Sequence, residues 1–153
     1  MNSDLHDRPI FSISAAARML GVSVQTLRLY EDEGLLVISK TEGRQRRYSR
    51  ADIDRIECIR RAINEEKISI GGMQHIHGLI PCWDMFHCSE KERSDCPAFK
   101  NHSGGCWTYE HSRNACAGKD CRLCTVYKFS SDCKQIKELI IRSSLHHRVG
   151  PNV

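Results

Sequence analysis

Residues 11–36, FSISAAARMLGVSVQTLRLYEDEGLL, carry the clearest structural signals in the N-terminal half of this chain. The first part of this stretch predicts a short helix over residues 15–20, and its second part predicts another helix over residues 24–33. A serine stands where each helix would begin and a glycine where it would end: Ser14 and Gly21 for the first, Ser23 and Gly34 for the second. Two short helices joined by a turn of about three residues form a helix-turn-helix.

Apolar and polar side chains separate on these two helices. We expect a small core from the apolar set Ala17, Leu20, Val22, Leu27 and Leu35. The remaining positions of the second helix predict a face that meets DNA, formed by Gln25, Thr26, Arg28 and Tyr30.

A β-hairpin, or wing, is predicted directly after the two helices. An apolar run at 36–38 leads to a polar turn at 41–43 and a basic return at 44–48. The charged residues of this region are Lys40, Arg44, Arg46, Arg47 and Arg50 against a single Glu42. Residues 1–80 hold 12 basic and 11 acidic side chains in all. The positive charge is therefore local, which suits phosphate contacts at one site.

Two more helices complete the first half. Ser49 is placed to cap a longer helix. That helix has an apolar stripe at helical spacing, formed by Ile53, Ile56, Ile59 and Ile63. A short helix at about 72–80 is expected to end before Pro81.

Five motifs follow one another in a fixed order within the first fifty residues. They are Phe11 to Ser14, Gly21 to Ser23, Gln25 to Glu31 (QTLRLYE), Gly34 to Leu36 and Gly43 to Ser49 (GRQRRYS). In this order and spacing they resemble the DNA-binding domain of MerR-type transcriptional regulators. The resemblance covers residues 11–80, and the QTLRLYE and RRYS runs are most similar to the heat-shock-repressor branch of that family.

The resemblance implies how the domain meets promoter DNA. The second helix would enter the major groove, and the wing would grip neighbouring phosphates through Arg44, Arg46, Arg47 and Tyr48. A guanidinium can bridge phosphate oxygens or read guanine, and a tyrosine hydroxyl can hydrogen-bond the DNA backbone. The family also implies a homodimer on a two-fold operator, and an indirect effect on RNA polymerase through distortion of promoter DNA.

Eight of the nine cysteines lie between residues 82 and 133, in a doubled pattern. Each copy reads Cys-Trp, a gap, Cys, seven residues, Cys, two residues and an aromatic residue. The first copy uses Cys82, Cys88 and Cys96, and the second uses Cys106, Cys116 and Cys124, with Cys121 and Cys133 in addition. The arrangement resembles a small bacterial module called a two-CW domain.

A bound metal or cluster is the first explanation for this segment, because it is too poor in apolar pattern to order itself alone. An iron–sulfur cluster tolerates wide spacing, and Cys116, Cys121 and Cys124 match the plant-type Cys-x₄-Cys-x₂-Cys pattern. Zinc prefers two close pairs, and here only Cys121 and Cys124 form one. His87, His102 and His111 are candidate additional ligands, although loop histidines of this kind are commonly solvated.

Paired thiols are the alternative that needs no metal. Nearby cations, at Lys91, Arg93 and Arg122, would favour the thiolate form, and oxidation would then switch the segment through disulfides. Spacing alone does not separate the three chemistries.

The sequence thus predicts a mainly α protein in four parts. Residues 1–10 are a flexible N-terminus, 11–80 a winged helix-turn-helix, 81–130 a loop-rich metal- or cluster-binding module, and 131–148 a short helix that could form the dimer contact. No apolar run approaches the roughly 18 residues of a membrane span. We therefore expect a cytoplasmic protein without a membrane partner.

The functional hypothesis is a DNA-binding transcriptional regulator whose cysteine module senses redox state, iron–sulfur status or metal. One alternative is the same regulator with a purely structural zinc module. Another is a thiol redox protein that uses the helix-turn-helix for protein contact. No phosphate-binding glycine loop, nucleophile elbow or paired carboxylate motif is present, so an enzyme is not expected.

Overall fold

The computed structural model of the chain describes residues 3–101, 103–131 and 133–148. The chain folds into two compact units, with the division between Met73 and Gln74. We call them the helix-turn-helix unit and the cysteine unit.

The helix-turn-helix unit combines short helices with a small antiparallel sheet. The helices are α1 (Ser3–Asp7), α2 (Ile13–Leu20), α3 (Val24–Asp32), α4 (Arg50–Asn64) and α5 (Ile70–Gly78), which continues past the division. The strands are β1 (Phe11–Ser12), β2 (Ser39–Lys40) and β3 (Arg46–Tyr48), in the order β1-β3-β2. β2 and β3 form the predicted wing, and β1 extends it into a three-stranded sheet.

The two predicted helices of the helix-turn-helix are confirmed, but the first begins earlier than the sequence suggests. Ser12, not Ser14, caps α2, because the Ser12 hydroxyl accepts a hydrogen bond from Ala15 N at 3.1 Å. Pairing with Arg47 in the sheet holds Ser12 in the extended conformation that an N-cap needs. The cap therefore depends on a strand pairing distant in sequence.

Residues 1–10, predicted to be flexible, contain the helix α1. His6 Nε2 lies 2.9 Å from Asp54 Oδ2 of α4. Both side chains are about half exposed, so this contact contributes little to stability.

The core of the helix-turn-helix unit lies where α2, α3, α4 and the sheet meet. Four of the five predicted core residues are buried, and Val22 packs against them half-buried. Along α4 the predicted stripe is also buried at Ile53, Ile56 and Ile59. The predicted N-cap of α4 is also confirmed. Ser49 and Asp52 form a capping box, in which the side chain of each residue accepts a hydrogen bond from the backbone N–H of the other.

Two arginines of α4 bind the backbone of the preceding elements. Arg55 is 4% exposed, and its Nε donates to Leu35 O at 3.0 Å. Arg60 Nη1 donates to Leu20 O at 2.6 Å, at the end of α2 where carbonyls lack helical partners. These bonds fix the position of α4 relative to the helix-turn-helix.

The cysteine unit is built of short helical pieces rather than the loops predicted for it. They are α6 (Cys82–Met85), α7 (Glu90–Asp95), α8 (Pro97–Lys100), α9 (Thr125–Phe129), α10 (Cys133–Arg148) and single 3₁₀ turns at Cys106–Thr108 and Cys121–Leu123. The serines and prolines that suggest loops act here as helix starts. Ser89 forms a capping box with Glu92, and Pro97 occupies the first turn of α8.

The sequence repeat corresponds to a repeated packing unit. Trp83 meets Phe99 edge to face, with ring centroids 5.0 Å apart. In the second copy Trp107 meets Tyr127 in the same manner, at 5.2 Å. Each tryptophan therefore packs on the aromatic residue that ends its own copy, and such pairs add stability beyond the area they bury.

The last helix, α10, has an apolar surface of its own. Ile136 is buried, whereas Ile140, Ile141 and Leu145 are exposed. Cys133 begins the helix, but its side chain lies outside the described residues, as does His102. Within the described ranges, no helix has the length and apolar character needed to cross a membrane.

Gly105 is required by the close approach of an indole ring. A Cβ at this position would lie 2.3 Å from the nearest ring atom of Trp107. We expect Gly105→Ala to destabilise the cysteine unit by about 1–3 kcal/mol through overpacking. Both tryptophans of the chain, Trp83 and Trp107, lie in this unit, so denaturant unfolding followed by tryptophan emission measures it directly.

Gly43→Ala is the matched control, since a Cβ there would meet only Thr41 Oγ1 at 3.9 Å. Equal midpoints for the wild type and Gly105→Ala would contradict the described packing of Trp107.

Candidate functional site

The outward face of α3 presents polar side chains to solvent. Gln25 and Arg28 are exposed, and Thr26 is partly buried. Ser23 caps the helix, because its hydroxyl accepts a hydrogen bond from Thr26 N at 3.1 Å. The hydroxyls of Ser23 and Thr26 also lie 2.9 Å apart. Thr26 is thus held by the cap, whereas Gln25 and Arg28 are free to reach an external partner.

The two tyrosines predicted to contact DNA lie instead in the core. Tyr30 is 7% exposed and Tyr48 is fully buried. Burial raises the pKa of Tyr48 to about 12, with Glu31 adding to the effect. Its hydroxyl has no hydrogen-bond partner among the described residues. Pairing of β3 with β1 turns Tyr48 inward, which the sequence could not reveal because β1 is only two residues long.

The wing presents its remaining basic side chains at the turn and on β3. Arg44 is exposed, with φ at 59° in the tight turn between the strands. Arg47 is partly buried, and its Nη2 donates to Gln45 Oε1 at 3.4 Å. Salt bridges from Lys40 of β2 and Arg46 of β3 to Glu31 join the end of α3 to the wing.

Arg46 has a structural partner that the sequence analysis did not identify. Its Nε donates to Glu31 Oε2 at the end of α3, and Lys40 Nζ lies 3.1 Å from Glu31 Oε1. Burial alone would raise the pKa of Glu31, but the bonds from Arg46 and Lys40 outweigh it and lower the pKa. The Glu31 bridge therefore joins α3 to both strands of the wing. It also engages Arg46, for which the family resemblance implies a contact with DNA phosphates.

The cysteine unit collects thiols from both copies of the repeat. None of its seven described cysteines is in a disulfide, and Cys82 is 8% exposed. The side chains of Cys82 and Cys106 are hydrogen-bonded to each other. This bond lowers the pKa of Cys82 and raises that of Cys106.

The other perturbed thiols are kept protonated. Burial raises the pKa of Cys116 to about 11, and the neighbouring cysteines add to it. Burial is also the main cause that raises the pKa of Cys88 and of Cys121. Without a bound cation these groups remain thiols at neutral pH, because few positive charges offset their burial.

A pocket in the second copy brings sulfur and nitrogen donors together. It is lined by Cys106, Trp107, His111, Cys116, Lys119, Cys121, Cys124 and Tyr127. Four of the eight predicted ligands thus share one pocket with a histidine. In the part of the chain that the structure describes, however, no three His, Cys, Asp or Glu side chains are grouped closely enough to hold a metal ion.

His111 is the residue of this unit that sequence reasoning undervalued. Its Nε2 donates to Cys106 O at 2.8 Å, so Nδ1 accepts from Asn114 Nδ2 at 2.9 Å. Nδ1 also lies 3.9 Å from Cys96 Sγ. His111 therefore connects the two copies of the repeat. The sequence feature that could have pointed to His111 is its position midway between Cys106 and Cys116.

Comparison with known proteins identifies the first unit. Residues 11–77 match the family profile described as "MerR HTH family regulatory protein". No solved structure is significantly similar to the chain. The match ends before the cysteine repeat, whose similarity to a two-CW domain stays a prediction.

Three curated relatives share part of the chain. The putative heat shock protein HspR of Streptomyces coelicolor is 39% identical over 70 residues, 46% of each chain. The HTH-type transcriptional activator TipA of Streptomyces lividans is 46% identical over 50 residues, 32% of this chain and 20% of that protein. The mercuric resistance operon regulatory protein of Pseudomonas fluorescens is 32% identical over 80 residues, 52% of this chain and 53% of that protein. The chain thus spans about half the length or less of these relatives.

The Glu31 bridge predicts a pH-dependent contribution to stability. The pKa of Glu31 is lowered by folding, so its contribution is present at neutral pH and is lost as the pH falls through the folded-state pKa. We expect Glu31→Gln to lower the free energy of unfolding by about 1–3 kcal/mol at pH 7, because it replaces charged hydrogen bonds with neutral ones. The loss should be smaller in acid, where protonation of Glu31 weakens the same bonds in the wild type. Urea unfolding at several pH values, followed by circular dichroism, measures this difference.

Glu57→Gln is the control, since Glu57 is an exposed carboxylate of α4. A Glu31→Gln deficit that does not shrink in acid would contradict the bridge.

Proposed function

Because residues 11–77 form a MerR-type helix-turn-helix domain, we propose that the chain is a sequence-specific DNA-binding regulator of transcription. The observation that carries the proposal is the exposed face of α3 with Gln25 and Arg28, on a helix that the Glu31 bridge joins to a basic wing. Arginine reads guanine and glutamine reads adenine in the major groove by paired hydrogen bonds. Two relatives named as regulators are 46% and 32% identical to this chain, over 50 and 80 residues.

The wing supplies the contacts with DNA phosphates, which do not depend on the base sequence. Arg44 and Arg47 retain guanidinium groups at the surface, and such groups pair well with phosphate oxygens. Arg46 contributes chiefly through the Glu31 bridge, which fixes the wing at a set distance from the recognition helix. Distortion of promoter DNA held between two such wings would act on RNA polymerase indirectly.

A homodimer is part of the proposal, since two-fold operators need two recognition helices. The exposed apolar residues of α10, among them Ile141 and Leu145, are available for a contact with a second copy. About four turns of helix is short for a coiled coil by itself.

The cysteine unit is proposed to sense redox state, iron–sulfur status or metal. Support comes from the clustering of free thiols around one pocket with His111. Metal coordination would require these side chains to close around the ion, because they are not grouped for it in the described residues. Coupled closure of this kind is common in small metal-binding modules.

Arg28 provides the test of DNA recognition. We expect Arg28→Ala to weaken binding by about 1–3 kcal/mol and to relax base preference at one position. Arg44→Ala should instead weaken binding to all sequences and reduce the salt slope by about one. Fluorescence anisotropy on a duplex selected from a random pool measures both effects.

Two controls accompany these variants. Arg61→Ala removes an exposed charge in the last turn of α4, which is not part of the proposed interface, so affinity should stay unchanged. Tyr48→Phe should also leave affinity unchanged, because the buried hydroxyl cannot reach DNA. An Arg28→Ala variant that binds like the wild type would overturn the proposed interface.

Anaerobic purification tests the cofactor. Matched iron and sulfide with visible absorption that bleaches in air would support an iron–sulfur sensor. Stoichiometric zinc without colour would support a structural brace, and chelation should then unfold the cysteine unit alone. A metal-free, folded protein would restrict sensing to thiol chemistry. Iron, sulfide and zinc analysis, with the tryptophan emission of Trp83 and Trp107 as the folding signal, separates the three.

A further inference from the structure

We propose that Cys82 and Cys106 are a dithiol modification site, which an oxidant converts into a disulfide that joins the two copies of the repeat. The inference rests on the proposed sensing function of the cysteine unit and names the atoms that would respond.

Direct contact of the two side chains is the first observation. The thiols of Cys82 and Cys106 are hydrogen-bonded to each other in the reduced state. A disulfide forms when two such hydrogen-bonded sulfurs approach to about 2.05 Å with suitable Cβ directions. Each cysteine is also the first residue of a helical turn, so each is held by local backbone structure.

Ring packing beside the two cysteines is the second, independent observation. His77 and Trp107 meet edge to face with ring centroids 5.1 Å apart. Trp107 follows Cys106 directly, and His77 precedes Cys82 by five residues. His77 is 2% exposed and Trp107 is 9% exposed, so the packing that brings the two segments together is buried. The thiol contact is therefore part of a fixed interface and not a chance meeting of loops.

Cys82 and Cys106 occupy equivalent positions in the two copies of the repeat. Cys82 opens the first copy and Cys106 opens the second, so the bond would tie the equivalent points of both copies. It would also remove both thiols from any metal or cluster. Oxidation of the two thiols and loss of a bound metal would then occur together. The same thiol pair would therefore respond both to an oxidant and to the supply of metal.

A peroxide is the oxidant class that completes the reaction. One thiol, as its thiolate, attacks a peroxide oxygen, the O–O bond breaks, and the departing hydroxide takes up a proton to form water. The second sulfur then attacks the sulfenic acid, the S–S bond forms, and the S–O bond breaks with release of a second water. Two thiols lose two electrons and two protons, and one hydrogen peroxide becomes two waters.

Peptide mapping of the full chain tests the proposal. The reduced protein is treated with hydrogen peroxide, remaining thiols are blocked with N-ethylmaleimide, and trypsin is added. Cleavage after lysine and arginine releases Cys82 and Cys88 in peptide 68–91, and Cys106 in peptide 101–113. We expect these two peptides to be linked in the oxidised sample and separate after reduction.

Matched variants identify the sulfurs. Cys82→Ser should abolish the 68–91 to 101–113 link, whereas Cys88→Ser, which changes the other cysteine of the same peptide, should retain it. Cys58→Ser, in α4, should also retain it. A link that survives Cys82→Ser, or peroxide treatment that oxidises other thiols and leaves Cys106 free, would overturn the proposal.

Binding of the reduced chain to the selected duplex separates this inference from the proposed function. If the reduced chain binds DNA and the link does not form, the dithiol inference alone fails. If the link forms but the reduced chain binds no duplex, the regulator proposal fails and the modification site stands.

Discussion

The carboxylate of Glu31 sets the geometry on which the proposed DNA-binding surface depends. It lies at the end of α3, 15% exposed, with Lys40 and Arg46 on its two oxygens. Each of the two cations comes from a different strand of the wing. Because an ion pair of low exposure is costly to break, the helix and the wing are held as one body. The free basic groups, Arg28 and Arg44, are thereby presented at a defined separation.

The cysteine unit is stabilised by a different set of interactions. Its helical pieces before α10 are four to six residues or single 3₁₀ turns, too short to be stable alone. Paired aromatic rings and a buried histidine provide its packing, with Trp107 touching both His77 and Tyr127. The thiols lie around this small core, where burial keeps Cys116 and Cys88 protonated. Such a unit is sensitive to any event that adds a crosslink or a metal, because few other interactions compete.

The sequence predicted the helix-turn-helix because caps, stops and apolar spacing are local signals. It predicted Ser23, Gly21 and the stripe of α4 for that reason. It failed at Ser12 and Tyr48, whose roles depend on the pairing of β1 with β3. The role of Arg46 in the Glu31 bridge is also a tertiary contact that no local pattern encodes. In the cysteine unit the repeat was visible, but the contact of Cys82 with Cys106 arises only from folding.

We propose that the state of the cysteine unit controls DNA binding by the helix-turn-helix unit of the same chain. The most direct measurement is the affinity of the full chain for one selected operator duplex, before and after peroxide, in the wild type and in Cys82→Ser. We expect oxidation to change the affinity or the footprint of the wild type, whereas Cys82→Ser should not respond. Identical binding curves and footprints for the reduced and oxidised wild type would contradict it.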